Sequence, residues 1–255
     1  MRYLLNLFLA VCTALLVLFI HSFSQAASFE SAFQPLGDGT VRSYAVLDEQ
    51  NHLQEVGVIL TETALSGLPN QRAEYVLPLP PQAEASAFTH IGLDWRSDGH
   101  DPSPIYGSPH FDVHFYTIAP EVRESITAVG ADLEKAYATP EPDLIPTGYV
   151  LAPDSAEPRM GAHWVNPTAE EFQGTPHGFT HSMIYGYYNG EMAFIEPMVS
   201  LEFLKSQQAF EGPFSVPNRY SREGSYPTAY RITYNESTKE HAVALTGFNQ
   251  LSPDL

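Results

Sequence analysis

Asn189-Gly190 stands between two runs, 179–188 and 191–199, rich in Tyr, Phe, Ile, Met and Val. Asn-Gly readily supplies two consecutive positive-φ residues, which a type I′ turn needs to match the right-handed twist of paired strands. A chain with this signal forms an antiparallel hairpin there, and therefore at least one sheet. Segments 40–47, 52–61, 88–95 and 110–118 extend the pattern, being short, β-branched or aromatic and bounded by turn residues. A second hairpin is predicted from 230–234 and 241–248. Helical signals are fewer. Segment 120–131 opens with Pro120 and carries Glu121 and Glu124 near the positive end of a helix dipole, and 200–210 places Leu201, Leu204 and Phe210 on one side. Pro-rich stretches at 78–81, 140–146 and 153–158 read as connectors. The pattern predicts a mostly β (α+β) fold, an antiparallel barrel or sandwich with two or three short helices.

A polypeptide of 255 residues that is 44% hydrophobic can bury one sizeable core. Residues 3–20 are almost entirely apolar, follow Arg2 and precede a polar stretch with Ser24 and Ala26 at the positions a signal peptidase reads, which predicts cleavage after Ala26. The expectation is a signal peptide over 1–26 and a single β-rich domain over 27–255, exported to the periplasm or secreted. The run is also nearly long enough to span a bilayer, so an uncleaved N-terminal membrane anchor is the alternative. Cys12, the only cysteine, lies within this run. The exported part then has no disulfide and must rely on core packing, oligomerisation or a metal. Thirty acidic against twelve basic residues give a formal charge of −18, which argues against nucleic acid and anionic membrane surfaces as partners.

His110, Asp112 and His114 alternate with Phe111, Val113 and Phe115. On a strand, successive side chains point to opposite faces, so the two imidazoles and the carboxylate share one face while the aromatic and branched residues line the other. That spacing suits a shared ion, or an Asp orienting one ring from behind; a solvent-facing strand carrying two His is the plainer alternative. An unbroken ladder from the Asn189-Gly190 turn puts Met183 opposite Glu196 and His181 diagonally beside it, with Tyr185 on the same face. Glu196 sits among Phe194, Ile195, Pro197 and Met198, where a carboxylate is costly without a partner. His163, beside Trp164, is a further candidate. No Gly-x-Ser-x-Gly elbow, cysteine outside the leading apolar run, His-Glu-x-x-His helix, Gly-rich phosphate loop or dinucleotide fingerprint is present, which argues against a serine or cysteine hydrolase, a kinase and a nicotinamide enzyme.

Taken in order, Leu93-Asp94-Trp95, Gly99-His100-Asp101-Pro102, 109–116, 159–164, Tyr185-Gly186 and 194–198 resemble a poorly characterised domain-of-unknown-function family of exported bacterial proteins, whose first structural member came from a thermophile's extracytoplasmic stress regulon. The resemblance spans about 40–205 and implies an exported β-rich domain. It groups His100, His110, His114, His163 and Glu196 as recurring polar positions and implies no particular reaction.

Two functional expectations follow. One is a divalent-metal site, zinc or another first-row ion, with His110, His114, His163 and Glu196 as ligands and Asp112, His181, His100 and Tyr185 supporting them. The other is a metal-free scaffold or small-ligand-binding module in which the same groups form a hydrogen-bond network and the chain self-assembles as a homo-oligomer.

Overall fold

A computed structural model describes residues 26–174 and 179–250, so residues 1–25 of the segment read as a signal peptide, and His177, lie outside the described residues. The strands run β1 Ala27–Glu30, β2 Gln34–Leu36, β3 Gly39–Leu47, β4 Leu53–Thr61, β5 Ala73–Pro78, β6 His90–Arg96, β7 His110–Tyr116, β8 Val150–Leu151, β9 Ala162–Val165, β10 His181–Tyr188, β11 Glu191–Ser200, β12 Phe210–Pro213, β13 Ser225–Tyr226, β14 Ala229–Asn235, β15 Glu240–Thr246 and β16 Asn249–Gln250. One antiparallel sheet has the order β1-β3-β4-β15-β14-β12, with β2 paired to β3. The other has the order β5-β6-β7-β11-β10-β9-β8, and β13 pairs with β16 apart from both. Of the barrel and the sandwich, it is the sandwich that forms: neither sheet closes on itself. Among the described residues no helix is long and apolar enough to cross a membrane.

The alternation of each strand decides what lies between the sheets. Leu93 and Trp95 of β6, Phe111, Val113 and Phe115 of β7, and Ile195 and Val199 of β11 meet Val41, Val58, Leu60, Val243 and Leu245 of the first sheet in one continuous core. Their neighbours along each strand must therefore point to the outer face of the second sheet. That outer face carries the polar residues.

The β10–β11 hairpin forms at the expected turn, with Asn189 and Gly190 at φ 54° and 77° and Tyr188 opposite Glu191. Its register then shifts by one residue after Tyr187↔Met192, so that Gly186 pairs with Phe194, Ile184 with Glu196 and Met183 with Pro197. The unbroken ladder expected from the sequence is thus corrected by a bulge at Ala193. Gly186 accommodates it, since a Cβ there would lie 2.1 Å from the Phe194 ring that crosses over it. A one-residue slip moves every later side chain to the opposite face. His181 and Tyr185 consequently turn into the intersheet core, His181 Nδ1 lying 2.8 Å from the Tyr230 hydroxyl of β14 and the Tyr185 hydroxyl donating to the Ser215 carbonyl.

Among the described residues there are four short α-helices: α1 Ser103–Tyr106, α2 Pro120–Ser125, α3 Ala131–Ala136 and α4 Leu201–Lys205. The helix expected over 120–131 stops at Ser125, and a separate one starts at Ala131, because Ala128 and Gly130 take positive φ and Asp132 Oδ2 accepts the Thr127 and Ala128 amides at 2.7 and 3.0 Å, diverting them from a helical ladder. The helix expected over 200–210 starts with Ser200 capping the Phe203 amide and stops after one turn; Gln207 adopts φ 58° and Phe210 begins β12.

Candidate metal centre

The outer face of the second sheet collects Asp94 and Arg96 from β6, His110, Asp112 and His114 from β7, Glu196 from β11 and His163 from β9. Strand pairing sets them side by side: Asp94 opposite Asp112, Arg96 opposite His110, and His163 opposite Gly186, which itself faces Phe194. Loops 97–109 and 152–161 cover this face through His100, Ser155 and Glu157. As a result Asp94, His110, Asp112 and His114 are fully buried and Glu196 is 2% exposed. Ionisable groups at such depth are costly unless each finds opposite charge or a ligand.

The orientation of the imidazoles is the informative detail. His110 Nδ1 is 2.7 Å from the Ser108 carbonyl, His163 Nδ1 is 2.7 Å from the Ser155 carbonyl, and His100 Nδ1 is 2.8 Å from the Asp101 carbonyl. A carbonyl oxygen only accepts, so each Nδ1 carries a proton, and a ring that is neutral then presents its lone pair at Nε2. All three lone pairs face carboxylates: His110 Nε2 and His100 Nε2 lie 2.9 and 3.9 Å from Asp112 Oδ1, and His163 Nε2 lies 3.7 Å from Glu196 Oε2. His114 completes the pattern, with Nδ1 3.3 Å from Asp94 Oδ2 and Nε2 3.3 Å from Glu196 Oε1. His110 Nε2, both His114 nitrogens, Asp112 Oδ1, Asp94 Oδ2 and Glu196 Oε2 have no aligned hydrogen bond among the described residues. Acceptors facing acceptors in a buried site call for a cation or a proton between them.

Two groups of ligand atoms result, each with its atoms within 4.8 Å of one another: His114, His163 and Glu196, and His100, His110 and Asp112. Ligand atoms about 2.0–2.1 Å from a tetrahedral ion stand about 3.3 Å apart, the spacing of His114 Nε2 and Glu196 Oε1. Asp94 behind His114 occupies the place of the carboxylate that typically orients a metal-bound imidazole.

Electrostatics agree with a site short of positive charge. Burial pushes the Glu196 carboxyl up, to about 8, against the pull of His114 and with Asp112 and Asp94 adding repulsion. Burial would lower His114, yet Glu196 and Asp94 hold it up, at about 9. Asp112 also suffers burial, but His110 and Arg96 hold it well below the usual carboxylate range, Arg96 Nε donating to its Oδ2 at 2.7 Å. Burial lowers His163 and His100, which favours the neutral rings that bind metals.

Of the expected ligands, His114, His163 and Glu196 converge. His110 does not join them, because four strand residues span about 13 Å; its ring turns to Asp112 and His100 instead. His181 and Tyr185 lie on the opposite face. Asp94, quoted above only within Leu93-Asp94-Trp95, also belongs to the site, as do Arg96, Glu157 and Arg72, which links Asp94 to Glu157 at 3.2 and 3.3 Å. Asp94 and Arg96 are detectable as charges alternating with Leu93 and Trp95, the same pattern that exposes 110–114. Glu157 carries no such signal, since it reaches the site from a loop.

A cavity of about 840 Å³ opens on this face, lined by His100, Asp112, His163, Glu196, Arg96 and Glu157 among others. An ion held by either group would be reached from it. A family model described as TTHB210-like, Hypothetical protein TTHB210, matches residues 48–95, a stretch that reaches Asp94 but stops short of every imidazole of the site. No curated protein and no solved structure matches the chain.

Proposed function

We propose that this protein is an exported β-sandwich domain that holds a divalent first-row ion, zinc fitting best, between His114 Nε2, His163 Nε2 and Glu196. The observation that carries this reading is the lone pair of His163 fixed by its Nδ1–H bond to Ser155, aimed at the same carboxylate that His114 faces at 3.3 Å. Two nitrogens and one oxygen from three strands suit zinc. The cavity leaves one side of the ion open, so a water or a small ligand completes the coordination, as in zinc sites that act on substrates rather than merely brace a fold. Export rests on the apolar run before Ser24 and Ala26 and on the confinement of the only cysteine to it. The acidic balance sets nucleic acid and anionic membranes aside as partners.

The test is a thermal melt of the wild-type protein with and without a strong chelator, beside the same pair for His114→Ala. The ion joins β7, β9 and β11, and its binding free energy is folding free energy. Chelator should therefore lower the wild-type Tm, and lower that of the variant by less. A wild-type melt indifferent to chelator would return the site to a hydrogen-bond network.

A further inference from the structure

The group formed by His100, His110 and Asp112 is separate from the ion site just described and has its own donors. His110 Nε2 is fully buried, lacks an aligned hydrogen bond and faces Asp112 Oδ1, which lacks one too, at 2.9 Å. The Nδ1 of this ring is committed to Ser108, so with the ring neutral the close pair consists of two electron-pair donors. His100 brings a third from the loop above, its ring edge-on to His110 at a centroid distance of 4.8 Å and its Nδ1 committed to Asp101. Arg96 does not fill the gap: its bond goes to Asp112 Oδ2, leaving Oδ1 toward the imidazoles.

From this geometry we propose a second divalent-ion site at His100 Nε2, His110 Nε2 and Asp112 Oδ1, which makes the outer face a two-ion surface. The proposal rests on the reading of the first site only for the pairing; the second donor set stands by itself. Asp112 and His114 are two strand residues apart, roughly 7 Å, and the two donor sets have no ligand in common. Charge sets their order. With its imidazoles neutral and all four carboxyls ionised, as ion binding requires, the face sets Asp94, Asp112, Glu196 and Glu157 against Arg96 and Arg72, an excess of two negative charges that one divalent ion cancels. The second ion enters a neutralised site beside Arg96 and binds more weakly, and its excess charge is met by anions or hydroxide from the cavity. His100, a quarter exposed, provides the entry path.

Stripped protein titrated with Zn²⁺ against a chromophoric chelator reads this directly. Two equivalents in two steps are expected, with the weaker lost in His100→Ala and in His110→Ala and the tighter lost in His114→Ala. His100→Ala changes a partly exposed loop residue, so it keeps the test valid should His110→Ala fail to fold. A single wild-type equivalent overturns the second site if His114→Ala abolishes it and His100→Ala does not. The converse pattern also overturns the pair, and does so by removing the first site instead. No binding at all overturns both.

Discussion

His114 and Glu196 face each other across β7 and β11 with 3.3 Å between Nε2 and Oε1, and Asp94 stands 3.3 Å behind the same ring. The ring is clamped between two carboxylates, and its function depends on which one it serves. If Asp94 orients it toward an ion, Asp94→Asn keeps the shape of the site and weakens the ligand. Zinc affinity should then fall roughly 10–100-fold with the fold intact, as measured by chelator competition. Unchanged affinity would reduce Asp94 to a structural counter-charge for Arg72.

Protonation provides an independent check. His114 and Glu196 both titrate higher in the fold, at about 9 and about 8, than in an unfolded chain. A group with a raised folded pKa stabilises below its unfolded value and loses that contribution as pH rises through the folded one. The ion-free protein should therefore lose stability between pH 7 and 9, because its folded state must give up protons that hold the pair together. Zinc replaces those protons, so the loaded protein should show a flat Tm over the same range. Parallel curves for the two forms would contradict this.

The two-layer fold was largely legible, since hydrophobic alternation and Asn189-Gly190 report local backbone geometry. The faces of β10 were not. The bulge at Ala193 goes with the Phe194 ring lying over its cross-strand partner Gly186, and its only sequence signal is a lone glycine inside a strand, which does not fix where the register shifts. For the same reason His181 was expected beside Glu196 and lies instead against Tyr230. In β7 the shared face of His110 and His114 could be read from spacing, but their division between two groups could not, because His163 and His100 arrive from distant segments.

Gly186 gives a packing prediction. The Phe194 ring sits edge-on to His114 and His163 at centroid distances of 4.7 and 5.4 Å. Gly186→Ala would push that ring aside, at a cost of roughly 1–3 kcal/mol, and disturb both imidazoles. Urea denaturation should show the loss, and zinc affinity should drop with it; a neutral substitution would mean that the bulge is held by other contacts.

His181 separates the core from the site. Its loss removes the partner of the Tyr230 hydroxyl in the intersheet layer, so His181→Ala should cost roughly 1–3 kcal/mol. Zinc content by elemental analysis should remain that of the wild type. A loss of metal would restore His181 to the neighbourhood of Glu196 and refute the bulge.

The central claim is the position of an ion, and anomalous diffraction at the zinc edge from zinc-loaded crystals measures that position. The account predicts a peak about 2.0–2.1 Å from His114 Nε2, His163 Nε2 and a Glu196 oxygen. Loaded crystals with no peak between these three residues, or with zinc only at exposed carboxylates, would contradict it.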